Sequence, residues 1–171
     1  MPATPAWPPG SLPRLFIEQT LAEDAEIRVE GNAANYLTRV LRLQPGAQVK
    51  LFDDVTGEWL AGLAHVGKRD ALLRVEGKLR GREQVPDLWL AFAPLKKGRI
   101  DWLAEKACEL GVRRLVPVRT QRTVIDKIKP DRLRAHLIEA AEQCERTALP
   151  ELAGLTSLDA LLADWPGDRT L

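Results

Sequence analysis

Lys96, Lys97 and Arg99 lie within four residues of one another, and Arg122 follows one predicted strand later. Side chains of this kind hold anions. The arginine fork meets a phosphate with two parallel hydrogen bonds, and lysine acts as a mobile point charge. Other side-chain chemistries have little material. Ser11 and Ser157 are the only serines and His65 and His136 the only histidines, so a Ser-His-Asp triad is nearly excluded, and both histidines read as structural or surface residues. Neither GxxxxGK[ST] nor GxGxxG occurs, which removes the usual nucleoside-triphosphate and dinucleotide fingerprints. Asp53 and Asp54 have no third oxygen ligand nearby and read as turn residues rather than a metal site. Cys108 and Cys144 lack CxxC spacing and fall on the apolar stripes of two predicted helices, so both are expected to be small buried thiols.

The elements that must position the cations follow from periodicity. Leu88 to Ala93 is a continuous apolar run, the pattern of a strand buried on both faces. The turn Pro94 to Gly98 leads into a helix whose stripe is Ile100, Leu103, Ala104, Ala107, Cys108 and Leu110, closed by Gly111. Leu115 to Val118 is the next strand. Strand, helix and strand with short connections form a βαβ unit with parallel strands, and in open α/β sheets ligands bind at the carboxyl ends of such strands. Lys96, Lys97, Arg99 and Arg122 all belong to that edge. A solvated face is the competing reading, with Asp101 and Glu105 pairing with Arg99 or Lys97.

A basic loop from Arg119 to Lys129 precedes a helix predicted over 130–147, with Leu133, Leu137, Ala140, Ala141 and Cys144 inward and Gln143 and Arg146 one turn apart on its flank. Thr156 and Asp159 resemble a weak capping box for a last short helix. Arg169 to Leu171 reads as the start of a strand. Two full parallel strands and a third barely begun cannot cover their helices, so further sequence or a partner is expected beyond Leu171.

Before this unit the grammar differs. The first dozen residues hold four of the twelve prolines and read as a leader, 1–13. From Arg14 to Gly77 short apolar runs (RLFI, EIRV, QVKLF, EWLAGLAHV, ALLRVEG) alternate with turn signals, which predicts a small β-barrel. One helix interrupts it, capped by Asn32 and running to Arg42, with Arg39 and Arg42 beside its buried stripe. Such a barrel suits an RNA-binding accessory domain or a purely structural role. Lys78 to Pro86 reads as the linker, giving domains 14–82 and 83–171.

Composition adds a distribution of charge. Net charge is +1, which argues against a uniformly basic nucleic-acid binder. Yet Pro94 to Arg134 carries twelve Lys and Arg against five Asp and Glu, and Ala135 to Leu171 two against seven. The 171 residues, 45% of them apolar, suffice for a core, and no apolar run approaches the roughly 20 residues of a membrane helix. With no secretory pattern at the N-terminus, a cytoplasmic protein is expected.

Several motifs in order resemble one family: Lys96-Lys97-Gly98-Arg99-Ile100-Asp101-Trp102, Lys106, Glu109-Leu110-Gly111-Val112, Arg122, Glu142-Gln143-Cys144-Glu145-Arg146 and Pro150. In the first domain Arg14-Leu15-Phe16, Asn35-Tyr36-Leu37-Thr38-Arg39-Val40-Leu41-Arg42, Pro45-Gly46 and Leu51-Phe52-Asp53 match the same family. The chain resembles, from Arg14 to Pro150, the RsmE family of 16S ribosomal RNA uridine N3-methyltransferases. The resemblance implies an N-terminal PUA-like β-barrel and the first part of a SPOUT (α/β knot) methyltransferase domain. It also implies S-adenosylmethionine as methyl donor, 16S ribosomal RNA of the small subunit as partner and a homodimer in the full-length protein, and the residues themselves give no expectation of a metal. RNA contacts are expected from Arg14, Arg39, Arg42, Lys96, Lys97, Arg99, Arg122, Gln143 and Arg146, the last two lining the same cleft as Arg99 from the neighbouring helix. Two departures stand out. Tyr36 occupies the family's usual histidine position, and the glycine-rich GPEGG loop and the LG-x-x-x-LR-x-ETA segment, which bind the cofactor, are expected beyond Leu171. A catalytically inactive RNA-binding protein, or a fragment lacking the cofactor site, is the alternative.

Overall fold

A computed structural model describes residues 12–96, 98–125 and 127–170, and the chain divides into two compact units, Met1–Glu83 and Gln84–Leu171. Of the expected leader only Leu12 and Pro13 are among the described residues.

The first unit is a five-stranded sheet in the order β1-β3-β4-β5-β2, formed by Arg14–Phe16, Gln48–Asp53, Gly57–Val66, Asp70–Arg80 and Glu26–Glu30. β1 pairs with β3 in parallel, and every other ladder is antiparallel. Each of the five apolar runs is a strand. Alternation makes one face: in β2 Ile27 and Val29 are buried between exposed Glu26, Arg28 and Glu30. All five strands feed one core, from Leu15 through Leu51, Leu63 and Leu73 to Val29, and Ala34 and Leu37 close it from the helix. β5 runs on to Arg80, so the first part of the predicted linker is ladder, paired as far as Glu58↔Arg80.

The interrupting helix departs from its predicted geometry. α1 spans Gly31–Asn35 with Glu30 at its N-cap, not Asn32, and Tyr36–Val40 is a π-helical turn in which Leu41 N–H donates to the Tyr36 carbonyl at 2.9 Å. The wider turn buries Leu37 and Ala34, and Arg42 ends it at φ 54°, where Leu43 N–H reaches back to the Leu37 carbonyl. Asp53 organises the β3–β4 turn. Its carboxylate accepts from the amides of Leu21, Val55, Thr56 and Gly57 and from the Thr56 hydroxyl, the turn role expected of it.

The second unit is a parallel sheet, β6-β7-β8, of Trp89–Phe92, Arg114–Arg119 and Glu151–Leu152, with β9 (Thr156–Ser157) also pairing β7. α2 (Arg99–Glu109) and α3 (Pro130–Cys144) are the crossovers and pack on each other. Two sequence expectations are corrected here. The third parallel strand is split between β8 and β9, while Arg169 instead hydrogen-bonds Asp87 and stacks 3.9 Å from the Trp89 ring. β6 is not buried on both faces: of its four residues only Phe92 is buried.

α2 follows its prediction closely. Ala104, Ala107 and Cys108 are buried, and Gly111 (φ 76°) ends the helix in a Schellman motif, with Gly111 N–H to the Cys108 carbonyl and Val112 N–H to the Ala107 carbonyl, both 3.0 Å. Leu110, assigned to the stripe, is exposed because it is the C-cap residue. α3 buries Leu133, Leu137, Ala140 and Ala141 but stops at Cys144, since Glu145 takes the left-handed conformation at φ 62°. Cys144 is therefore exposed, whereas Cys108 is buried against the Leu137 carbonyl. α4 (Leu158–Ala163) is capped by Ser157, whose hydroxyl accepts from Ala160 N–H, one residue later than predicted.

Among the described residues no helix is long and apolar enough to cross a membrane, and no group of three or more His, Cys, Asp or Glu side chains could hold a metal ion.

Candidate functional site

Parallel pairing fixes where the cations of the second unit go. Phe92 lies opposite Pro117, so β6 and β7 end side by side and the turn 93–98 and the loop 120–129 leave from one edge. Lys96, Arg99, Arg119 and Arg122 are exposed there. Lys97 lies outside the described residues. The β6–α2 turn is held by its own backbone: the Arg99 amide donates to the Lys96 carbonyl at 3.1 Å, and Gly98 enters α2 at φ 90°, a conformation suited to glycine.

Asp101 ties this edge together. Its carboxylate accepts from the Gly98 amide at 3.1 Å and receives Arg132 in fork geometry, Nε to Oδ1 at 3.0 Å and Nη2 to Oδ2 at 2.5 Å. His136 adds Nε2 at 3.5 Å from Oδ1, and its Nδ1 lies 3.2 Å from Glu105 but makes no hydrogen bond. Burial raises the Asp101 carboxyl, but Arg132, the Gly98 amide and His136 together hold its pKa below the ordinary 3.8. Asp101 is thus taken by Arg132 of α3 and not by Arg99, while Lys97, the other partner in the competing reading, lies outside the described residues. Arg99 is left exposed.

Two hollows open at the same edge. One of about 490 Å³ is lined by Arg119, Thr120, Gln121, Arg122, Leu158 and Asp159. Thr120 of its lining is hydrogen-bonded to Thr123, which shapes the loop that presents Arg122. The other, of about 220 Å³, lies over Asp101 and Arg132.

Gln143 and Arg146 do not share this edge. α3 starts where the loop from β7 ends and runs back toward the start of β8, and fifteen residues at about 1.5 Å each carry its end roughly 20 Å away. Arg146 there donates Nε–H to the Glu109 carbonyl at 3.1 Å, finishing the C-terminus of α2, and exposed Gln143 faces Glu139 at 3.5 Å. The expected single cleft is two separate ends of the sheet, because a crossover helix cannot have both ends at one edge.

In the first unit Arg14 is 7% exposed, paired with buried Glu58 and 3.9 Å from the Phe52 ring centroid, so it braces β1 against β3 and β4. Arg39 and Arg42 are exposed as expected. Arg39 opens on a hollow of about 600 Å³ shared with Lys68 and Arg69 of the β4–β5 hairpin. The sequence signal for those two was present in Gly67-Lys68-Arg69-Asp70, read only as a turn.

A barrel with Arg39, Lys68 and Arg69 on one groove, and a parallel α/β unit whose cations gather at its carboxyl edge, define a class. Residues 29–76 match the RNA methyltransferase PUA domain, and residues 82–171, more than half the chain, match the RNA methyltransferase domain. Ribosomal RNA small subunit methyltransferase E of Rickettsia conorii is 30% identical over 138 residues, 80% of this chain and 57% of that protein. The protein of that name from Synechocystis is 29% identical over 160 residues, 92% of this chain and 52% of its own length. The chain belongs to the RsmE family of RNA methyltransferases, and it spans a little over half the length of these two curated relatives. The fold is that of the solved RsmE structure from Neisseria gonorrhoeae bound to S-adenosyl methionine, with a TM-score of 0.81 at 23% identity, covering 91% of this chain and 67% of that one.

Proposed function

We propose that the chain supplies the RNA-holding part of an enzyme that methylates N3 of a uridine in 16S ribosomal RNA with S-adenosylmethionine as donor. In this reading residues 14–82 are a PUA-like RNA-binding barrel and residues 83–171 the first part of a SPOUT methyltransferase domain. The full protein works as a cytoplasmic homodimer. The single observation that carries the reading is the exposure of Lys96, Arg99 and Arg122 at one carboxyl edge, in the unit matched by the RNA methyltransferase domain.

The chemistry asks for this arrangement. Transfer to uracil N3 requires loss of the N3 proton and alignment of that nitrogen with the sulfonium methyl, so holding the RNA backbone in register supplies much of the help. Lys96, Arg99 and Arg122 hold phosphates at the edge, and Arg39, Arg42, Lys68 and Arg69 hold them on the barrel. Lys97 belongs to the same turn in sequence. The residues of the hollow beside Asp101 do not fit the donor itself. The hollow beside Asp101 carries Lys127, Lys129 and Arg132, its one carboxylate is already bound by Arg132, and a sulfonium cation gains nothing there.

Binding of a 16S ribosomal RNA fragment at several salt concentrations tests the proposal. Arg99→Ala and Arg122→Ala should each weaken binding and reduce the salt slope by about 1, while Gln143→Ala leaves both unchanged. An affinity and slope unaffected by both arginine substitutions would remove the RNA role of this edge.

A further inference from the structure

The hollow over Asp101 combines features that a phosphate clamp alone does not need. Leu95, Ile100, Ile125, Ile128 and Leu133 give it apolar walls drawn from the β6–α2 turn, the first turn of α2, the β7–α3 loop and the start of α3. Its volume of about 220 Å³ falls below the roughly 300–1,000 Å³ of sites for drug-sized ligands and suits one ring. Lys127 and Lys129 are exposed residues of its lining, and neither has an ion pair among the described residues. Arg132 is committed to Asp101 by two hydrogen bonds, which makes the floor a fixed, internally neutralised pair rather than a second anion trap.

We propose that this hollow is a slot for a single unstacked pyrimidine nucleotide, with the base between the isoleucine and leucine walls and its phosphate on Lys127 and Lys129. The inference rests on the RNA-binding reading and deepens it. An enzyme that works on a ring nitrogen normally paired in a helix must take the base out of its stack, and a flipped base is held by apolar side chains on its faces with polar groups at its rim. The slot adjoins the edge that carries Lys96 and Arg99, since Leu95 and Ile100 flank those residues in sequence. Asp101 is not the proton acceptor in this arrangement: both its oxygens already accept from Arg132. It is a positioning residue, fixing the Gly98 turn that carries one wall.

Titration of the chain with uridine 5′-monophosphate, uridine and inorganic phosphate, read by saturation-transfer NMR, tests the slot. The nucleotide should bind, uridine more weakly, and inorganic phosphate should fail to displace the nucleotide at equal concentration. Ile128→Trp, half-buried and away from the sheet core, should fill the slot and weaken the nucleotide at least tenfold with the circular dichroism spectrum unchanged. Replacing Lys127 and Lys129 by alanine should weaken the nucleotide while leaving uridine unchanged. Displacement by phosphate alone, or an Ile128→Trp chain that binds the nucleotide normally, overturns the proposal. If the 16S fragment still binds with its full salt slope while the nucleotide does not, the slot fails and the RNA-binding reading stands.

Discussion

Arg146 reaches from the end of α3 to the end of α2, donating Nε–H to the Glu109 carbonyl at 3.1 Å, with its guanidinium directly over Gly111. A Cβ at Gly111 would stand 2.6 Å from Arg146 Nη2, and the glycine itself is at φ 76°. One contact thus caps a helix and fixes how two crossovers meet.

Gly111→Ala should destabilise the second unit by about 1–2 kcal/mol, chiefly through the left-handed backbone, because the guanidinium above it can swing aside. Arg146→Ala should cost at least about 1 kcal/mol, since it removes the hydrogen bond to a helix-terminal carbonyl. Urea unfolding measures both. RNA affinity should not change for Arg146→Ala, and a reduced salt slope would return that residue to the binding surface.

Arg14 and Glu58 are each nearly inaccessible, and Arg80 holds the second Glu58 oxygen at 2.9 Å. Removing Arg14 strands part of a buried charge, so Arg14→Ala should cost about 3 kcal/mol, whereas the Arg14→Met, Glu58→Leu pair should cost much less. Denaturant midpoints of the three chains decide this.

Acid should unfold the protein through three carboxylates. Burial raises the Asp53 carboxyl, but the Leu21 amide and the Thr56 hydroxyl and amide bring it below 3.8, and Arg80 and Arg14 bring buried Glu58 below 4.5. Asp101 is lowered likewise by Arg132. A depressed folded pKa means that the unfolded chain takes up protons first. The stability these groups contribute is therefore complete above about pH 4.5 and is lost as pH falls through their folded values. Melting temperature against pH should drop below that point, and Asp101→Asn should flatten part of the fall. A melting temperature independent of pH from 5 to 2.5 would contradict the assignment.

Arg39, Lys68 and Arg69 line one groove of the barrel and are exposed, so the triple alanine substitution should leave unfolding within about 0.5 kcal/mol of the parent. The salt slope for a single-stranded ribosomal fragment should fall by roughly 0.7 for each contact removed, about 2 in all. An unchanged slope would assign the barrel a structural role.

Much of this was legible along the chain. The five barrel strands and α2 with its glycine stop follow from periods of 2 and 3.6, which are local, and the assignment of Lys96, Arg99 and Arg122 to a carboxyl edge follows from strand–helix–strand order. The π-helical turn after Asn35 was not legible, because its extra residue per turn is set by how Leu37 meets the barrel core. Nor was the split third strand, two residues at a time on either side of Ala153 to Leu155, too short to carry a period.

The sequence by itself determined the family, the two kinds of unit and which residues are basic, because each rests on residue types and near spacing. Only the tertiary structure decided what each cation does. Arg14 and Arg146 look like Arg99 and Arg122 in a list of arginines, yet a buried glutamate claims the first and a helix-terminal carbonyl the second. Asp101, only two residues from Arg99 in sequence, is taken by Arg132 across thirty-one residues. Charge is written in the sequence, but what neutralises it is set by the distances that folding makes short.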